Sequence, residues 1–302
     1  MDKVIRCITS DGALMAVGID ASDLVYTGQQ LHKLTKTTGA AFGRLLCAAS
    51  MMGTLLKNEK SSLTVKLDGG GPIGTMLVKA DSKGNVRGYV DHPEVDFPTR
   101  ESDGKIDVSA AVGREGRLAV LRDEGAGEPY VGQVALVSGE IAEDITAYYA
   151  YSEQIPTVCA LGVLMGREDG KVMLAGGLLI QALPGAAESD IARLEQNIAK
   201  MESVTTMLAQ GLDAFAMCRT ALEGFEVEKL DEFAVNYVCN CSKEKFSRML
   251  LTIGSEEIRD LPLVVDGKAE AICEYCNKRY YFTPEELERL AQEAEKKTTP
   301  AK

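Results

Sequence analysis

Four cysteines constrain this chain more than any other feature. They stand as two close pairs, Cys239-x-Cys241 and Cys273-x-x-Cys276, in a C-x-C-x31-C-x-x-C arrangement near one end of 302 residues. The only histidines, His32 and His92, lie far upstream, so a mixed cysteine–histidine set is disfavoured. Thiolates are soft ligands, and four of them close the tetrahedral shell of Zn²⁺, so the direct reading is one zinc ion held by Cys239, Cys241, Cys273 and Cys276.

The compartment decides what such thiols do. The opening MDKVIRCITSDGALMAVGID is interrupted by Asp2, Arg6, Asp11 and Asp20, and no signal-peptide core can be drawn there. The apolar run 39–56 carries Arg44, Ser50 and three glycines, and reads as a buried core helix rather than a membrane span. A cytoplasmic location is expected, where a cysteine cluster reads as metal-binding or redox-active before it reads as a structural disulfide. The net charge of −12 argues against a nucleic-acid or anionic membrane partner. Residues 231–302, with 14 acidic and 11 basic side chains, carry no basic stripe.

The rest of the chain reads as α+β, an N-terminal antiparallel-sheet core domain with helices. Helices are expected between residues 22 and 57. From about 60 to 137 the text alternates: LTVKLD (63–68) puts Leu63, Val65 and Leu67 on one face and Thr64, Lys66 and Asp68 on the other. TMLVKA, NVRGYV, KIDVSA, GRLAVLRD and YVGQVALV follow as further strands. A helix is expected from Glu140 to about Tyr151 with Ser138 as its N-cap, then two buried strands, 156–165 and 171–183. The core domain spans 1–182.

Pro184 and Gly185 open a helical linker, 183–230. Ile191, Leu194, Ile198, Met201, Val204 and Leu208, continued by Leu212 and Phe215, recur at spacings of three and four. That places them on one face of an amphipathic helix or helix pair, with Gly211 as the joint. The cysteine segment spans 231–294 and ends in a helix with Thr283 as N-cap, Pro284 at its first position and Glu286 closing a capping box. A tail, 295–302, is expected to be disordered.

A segment of about 60 residues buries too little surface to be robust alone, whereas structural zinc supplies roughly 10–16 kcal/mol of folding free energy. The two sulfurs of each pair are also neighbours when no metal holds them, so both pairs are able to form local disulfides. Spacing alone leaves two readings open: an inert zinc ribbon that recruits a partner protein, or a folding switch set off by thiol oxidation. A thiol–disulfide oxidoreductase using CEYC fits poorly, because the strand-like RYYF follows where a helix should begin.

The C-x-C-x31-C-x-x-C arrangement resembles the redox-switch domain of the heat shock protein 33 family, the oxidation-activated, ATP-independent chaperones. YYAYSEQIPTVCALGVLM (148–165) and AGGLLIQALPGAAESDIARLE (175–195) resemble that family's signature stretches, and the likeness runs through essentially the whole chain. The resemblance implies a holdase rather than an enzyme. In the reduced, inactive form the four cysteines hold zinc. Oxidation pairs Cys239 with Cys241 and Cys273 with Cys276, releases the metal, unfolds the chain from about 231 onward and loosens the linker. The stripe from Ile191 to Leu208 then becomes a surface for unfolding client proteins, and the active form is a homodimer.

Other constellations carry less. DGGGPIG (68–74) lies between two strands and lacks a Gly-Lys-Ser/Thr ending, so it reads as a hairpin turn rather than a phosphate loop. DHPEVD (91–96) gathers His92 with Asp91, Glu94 and Asp96 but reads as an exposed polar loop. Cys7, Cys47, Cys159 and Cys218 read as buried, inert thiols.

Overall fold

A computed structural model describes residues 1–298. It divides the chain into two compact units, Met1–Val238 and the chain from Cys239 onward. The first unit opens with a hairpin, β1 (Lys3–Thr9) and β2 (Leu14–Asp20), followed by helices α1 (Ser22–His32) and α2 (Lys36–Gly53). Strands β3 (Ser62–Asp68), β4 (Met76–Asp81) and β5 (Val86–Val90) come next, then helix α3 (Val108–Val112) and strands β6 (Arg117–Asp123) and β7 (Tyr130–Ala135). Helix α4 (Ala142–Tyr148) leads through a π-helical turn to the long strands β8 (Thr157–Met165) and β9 (Val172–Ala182). Helices α5 (Glu188–Lys200), α6 (Val204–Ala209) and α7 (Ala214–Ala221) precede a last strand, β10 (Val227–Ala234).

The strands form two five-stranded sheets, in the orders β10-β1-β2-β9-β8 and β5-β4-β3-β6-β7, with antiparallel neighbours throughout. The expected alternation holds in β3, where Leu63, Val65 and Leu67 are buried and the residues between them face outward. Helix α2 packs against strands of both sheets and is buried on nearly all sides. An apolar run that is not a membrane span has to be enclosed in this way. Thr35 starts it, its hydroxyl accepting from the Thr38 N–H. Among the described residues no helix is long and apolar enough to cross a membrane.

The linker helices cover the other face of the first sheet. Leu194, Val204 and Leu208 are buried in a cluster with Leu14, Ala16, Leu178 and Ile180, and Ile198 and Met201 pack against it. Ile191 is half-buried. The stretch is three helices rather than one or two, because the chain is extended at Met201 and Ser203 caps α6 through the Thr206 N–H. Gly211, at φ +86°, makes the joint between α6 and α7. Gly18 lets α7 lie close on β2: a Cβ there would fall 2.5 Å from the Ala214 carbonyl oxygen.

Three further expectations are corrected in this unit. KIDVSA contributes helix α3, not a strand, because the Asp107 carboxylate accepts from the Ala110 N–H and caps it. Ser138 is not the N-cap of the next helix. The buried Asp144 carboxylate reaches back to accept from the N–H groups of Val137, Ser138 and Ile141, and the helix starts after Ile141. The boundary at 230/231 falls inside β10, which pairs with β1 along its length, so residues 231–238 belong to the first unit.

The second unit holds helices α8 (Lys243–Leu250) and α9 (Ser255–Arg259), a small sheet of β11 (Leu263–Val265), β12 (Lys268–Ile272) and β13 (Arg279–Phe282), and helix α10 (Pro284–Thr298). The capping box forms as expected: the Thr283 N–H donates to Glu286 at 3.0 Å and the Glu286 N–H donates to the Thr283 hydroxyl at 3.3 Å. Residues 295–298 continue α10 instead of starting a disordered tail, since no breaker interrupts PEELERLAQEAEKK. Residues 299–302 of that expected tail lie outside the described residues.

Asp2 gives the first unit a pH dependence. Its carboxylate accepts from the N–H groups of Asp23 and Leu24 at the start of α1, and burial pushes its pKa up to about 6. A carboxyl that holds its proton more tightly when folded favours the fold as pH falls through about 6 toward its unfolded value, and opposes it at neutral pH. Asp2→Asn keeps an acceptor for α1. The variant is expected to gain about 1–2 kcal/mol at pH 7.5, with the gain shrinking as pH falls below about 6 and vanishing only below about pH 4, in urea denaturation from about pH 7.5 to 3.5.

Candidate metal centre

Two loops bring the four sulfurs together. Cys239 and Cys241 lie on the segment that enters α8, where Ser242 caps the helix through the Lys245 N–H and the Lys245 ammonium holds the Asn240 carbonyl at 2.6 Å. Cys273 and Cys276 lie in the turn between β12 and β13, whose last pair is Ile272 with Arg279. The Cys276 and Asn277 N–H groups both donate to the Cys273 carbonyl, at 3.2 and 2.7 Å, and the Cys273 N–H donates to Lys278 at 2.9 Å. Asn277 takes the left-handed conformation, φ +57°, expected just after the second sulfur of a knuckle.

All four sulfurs lie within 4.8 Å of one another, with Cys239 to Cys273 at 3.7 Å and Cys241 to Cys276 at 3.4 Å. A tetrahedral site with Zn–S bonds of about 2.3 Å has sulfur–sulfur edges of about 3.8 Å. The donor set and its spacing fit such an ion. Cys273 is buried and the other three are half-buried, so the cluster is partly open to solvent.

Burial raises the Cys241 pKa, but hydrogen bonds from Tyr280 and the other thiols outweigh it and bring the group down to about 7. Burial pushes Cys273 up to about 11 and raises Cys276 further. Cys241, Cys273 and Cys276 thus have unequal claims on a proton, and a bound cation would remove the difference by holding the sulfurs as thiolates.

Tyr280 is the residue whose role the sequence reading missed. Its hydroxyl donates to the Cys241 sulfur at 3.1 Å, and its ring packs against Phe246 with centroids 5.1 Å apart. The alternation of β13 was the available signal, since it puts Tyr280 on the same side as the buried Phe282.

The remaining candidates are not assembled into sites. In the 91–96 loop, Asp91 accepts from the Thr75 N–H and Asp96 from the Thr37 N–H and hydroxyl, so both carboxylates hold loops in place. His92 is exposed, 3.7 Å from Glu94. His32 is buried, with its Nε2 3.0 Å from the Tyr237 hydroxyl. The DGGGPIG stretch joins the paired strands β3 and β4, as expected of a hairpin. Cys7, Cys47 and Cys218 are buried; Cys159 is partly exposed, and burial of its thiol pushes the pKa up to about 12.

Core, helical segment and cysteine-held unit together define a class of two-unit protein with a metal-competent four-thiol centre. A model of the family described as Hsp33 protein matches residues 2–283. A 33 kDa chaperonin of Clostridioides difficile is 44% identical over 295 residues, covering 97% of this chain and 99% of the relative. One from Alkaliphilus metalliredigens is 40% identical, covering 96% and 99%. The crystal structure of the 33 kDa chaperonin (heat shock protein 33 homolog) of Thermotoga maritima superposes with a TM-score of 0.86 at 33% identity, covering 97% of this chain and 99% of that one. The chain belongs to the Hsp33 family, and its functional class is that of a chaperone.

Two variants test the centre. Cys239→Ser with Cys241→Ser is expected to take the metal content from about one ion per chain to essentially none and to melt only the second unit, read by metal analysis and circular dichroism. Tyr280→Phe keeps the ring and removes the hydrogen bond. It is expected to weaken zinc binding by about ten-fold in competition with a chelator, as loss of a partner to a ligating atom does.

Proposed function

We propose that the protein is a redox-regulated, ATP-independent holdase whose resting form carries one zinc ion on Cys239, Cys241, Cys273 and Cys276. The observation that carries this reading is the convergence of four sulfurs in a unit whose own core is small: Ile258, Ala269, Phe282 and one face of α10. Zinc, when bound, supplies charge that keeps the sulfurs as thiolates and free energy that folds this unit.

The chain's own part begins with oxidation. A thiolate of one pair attacks a peroxide oxygen, giving a sulfenic acid and releasing hydroxide or water. Its neighbour's thiolate displaces the sulfenic oxygen, and a disulfide forms. Repeated at the second pair, this oxidises four thiols with two peroxides. The disulfides are Cys239–Cys241 and Cys273–Cys276. The sulfur contacts of 3.7 and 3.4 Å in the folded unit join different pairs. What supports the local pairing is that loops of one and two residues close without the rest of the unit, even as it unfolds. Disulfides that close such short loops replace little of the folding energy the metal gave.

Unfolding of the second unit, from Cys239 onward, loosens α5–α7. The face made by Ile191, Leu194, Ile198, Met201, Val204 and Leu208 leaves the sheet and becomes the surface that holds unfolding client proteins. The activated form is a homodimer working in the cytoplasm, with no nucleic-acid or membrane partner and no catalytic chemistry of its own.

Peroxide added at elevated temperature to the reduced, zinc-loaded protein is expected to release zinc, read with a chromogenic chelator, together with suppression of the aggregation of a heat-denatured enzyme. Peptide mapping should find the two local disulfides. Zinc that stays bound, or that leaves without anti-aggregation activity, would make the cluster an inert structural ribbon.

A further inference from the structure

Strand β10 is attached to the core in an unusual way. It pairs antiparallel with β1, from Lys3 opposite Ala234 to Thr9 opposite Val227. Yet none of its residues is buried, whereas Val4, Ile5, Cys7 and Thr9 of β1 are. A bulge opposite the Arg6–Cys7 step interrupts the ladder and leaves Leu230 out of register, 48% exposed. What holds β10 is the backbone ladder, charge, and two half-buried side chains, Val227 and Phe233, that pack against the core clusters. The Lys3 ammonium pairs with Glu232, and Arg6 Nε donates to Asp231 at 3.0 Å while its guanidinium lies over the Phe233 ring. The anchor at its far end is Val235, buried and bonded through its N–H to the Asp2 carbonyl.

We infer that β10 is an internal stand-in for a client, and that the activated protein offers the edge of β1 to extended segments of unfolding proteins carrying acidic residues beside an apolar or aromatic one. This rests on the holdase reading and names where and how a client strand pairs. An edge strand without its neighbour presents a row of free N–H and C=O groups that any extended chain can satisfy. Sequence tolerance follows, because the ladder reads backbone. Lys3 and Arg6 add the preference, since the strand now paired to them, VEKLDEFA, brings Glu228, Asp231 and Glu232. In the resting protein the edge is closed by a strand with no fully buried residue, its apolar contacts limited to half-buried Val227 and Phe233, so the same loosening that frees α5–α7 would uncover it.

The test uses the full-length protein and a fluorescent peptide with the sequence of residues 226–235, EVEKLDEFAV. The peptide is expected to bind the oxidised protein and not the reduced one, and to be displaced by an unfolding client enzyme. Arg6→Glu should weaken its binding to the oxidised protein by about ten-fold, and so should lysines in the peptide at the positions of Glu228, Asp231 and Glu232, a readout independent of how the variant folds. Oxidised protein that suppresses aggregation but ignores the peptide, or binds it without competition from client, would overturn the inference and leave the holdase reading standing. Peptide that dissociates an oxidised dimer without displacing client would overturn it too, assigning the edge to a second copy. Oxidised protein without anti-aggregation activity would bring down the holdase reading itself.

Discussion

Four sulfur atoms within 4.8 Å of one another are a configuration that four neutral thiols have little reason to keep. A thiol is a weak donor and a weak acceptor, and nothing in that chemistry repays fixing two loops so closely. A cation repays it. The second unit has a core built from one face of α10, a phenylalanine and a few aliphatic groups. At about 60 residues that is below what apolar burial alone makes robust. Every other feature of the unit, from the Thr283 box to the Asn277 turn, is a local contribution on the order of 1 kcal/mol, against roughly ten times that for a structural zinc site. Coordination of such a cation would therefore be the interaction on which this small unit depends.

The first unit is built on the opposite principle. Helix α2 is enclosed by strands of two five-stranded sheets, and the cluster around it includes Phe42, Leu45, Leu46 and Met51 with the inward residues of both. Such a core is held by apolar burial and needs no metal. The layer of α5–α7 is intermediate. Its apolar contacts are real, but Ile191 is only half-buried and α5 has a single fully buried residue, Leu194. In the proposed zinc-bound resting form, a self-sufficient first unit and a metal-dependent second one, with sparsely buried α5 between them in sequence, would have a natural order of loss in which the metal-dependent part goes first.

Much of this was legible in the sequence because it rests on local chemistry. The alternation of β3, the unbroken apolar run of β9, the capping box of α10 and the four ligands are all readable within a few residues of text. What escaped depends on partners far along the chain or on a side chain reaching backward. KIDVSA alternates well enough for a strand, and only Asp107 as a cap turns it into α3. Asp144 organises the start of its helix from inside it, a role that no N-cap pattern reveals. Strand β10 was divided between two domains because its polar, acidic text gives no sign of the strand it will pair with, more than two hundred residues earlier.

The same reasoning bears on how sensitive such a centre can be. Anything that stabilises the thiolates, a bound cation or the Tyr280 hydrogen bond to Cys241, increases the fraction of sulfur in its oxidisable form. The same interactions would strengthen the unit that oxidation has to unfold in the proposed switch. They raise the thiolate fraction but lower each thiolate's nucleophilicity, so access to the sulfurs helps set the balance. Here Cys273 is buried while Cys239, Cys241 and Cys276 are partly exposed. In the proposed switch a small oxidant would meet the partly exposed cysteines first, the first disulfide would remove two of the four ligands, and the remaining pair could no longer close the coordination shell. Metal lost in this way would take the fold of the unit with it in one cooperative step, because its remaining core is small.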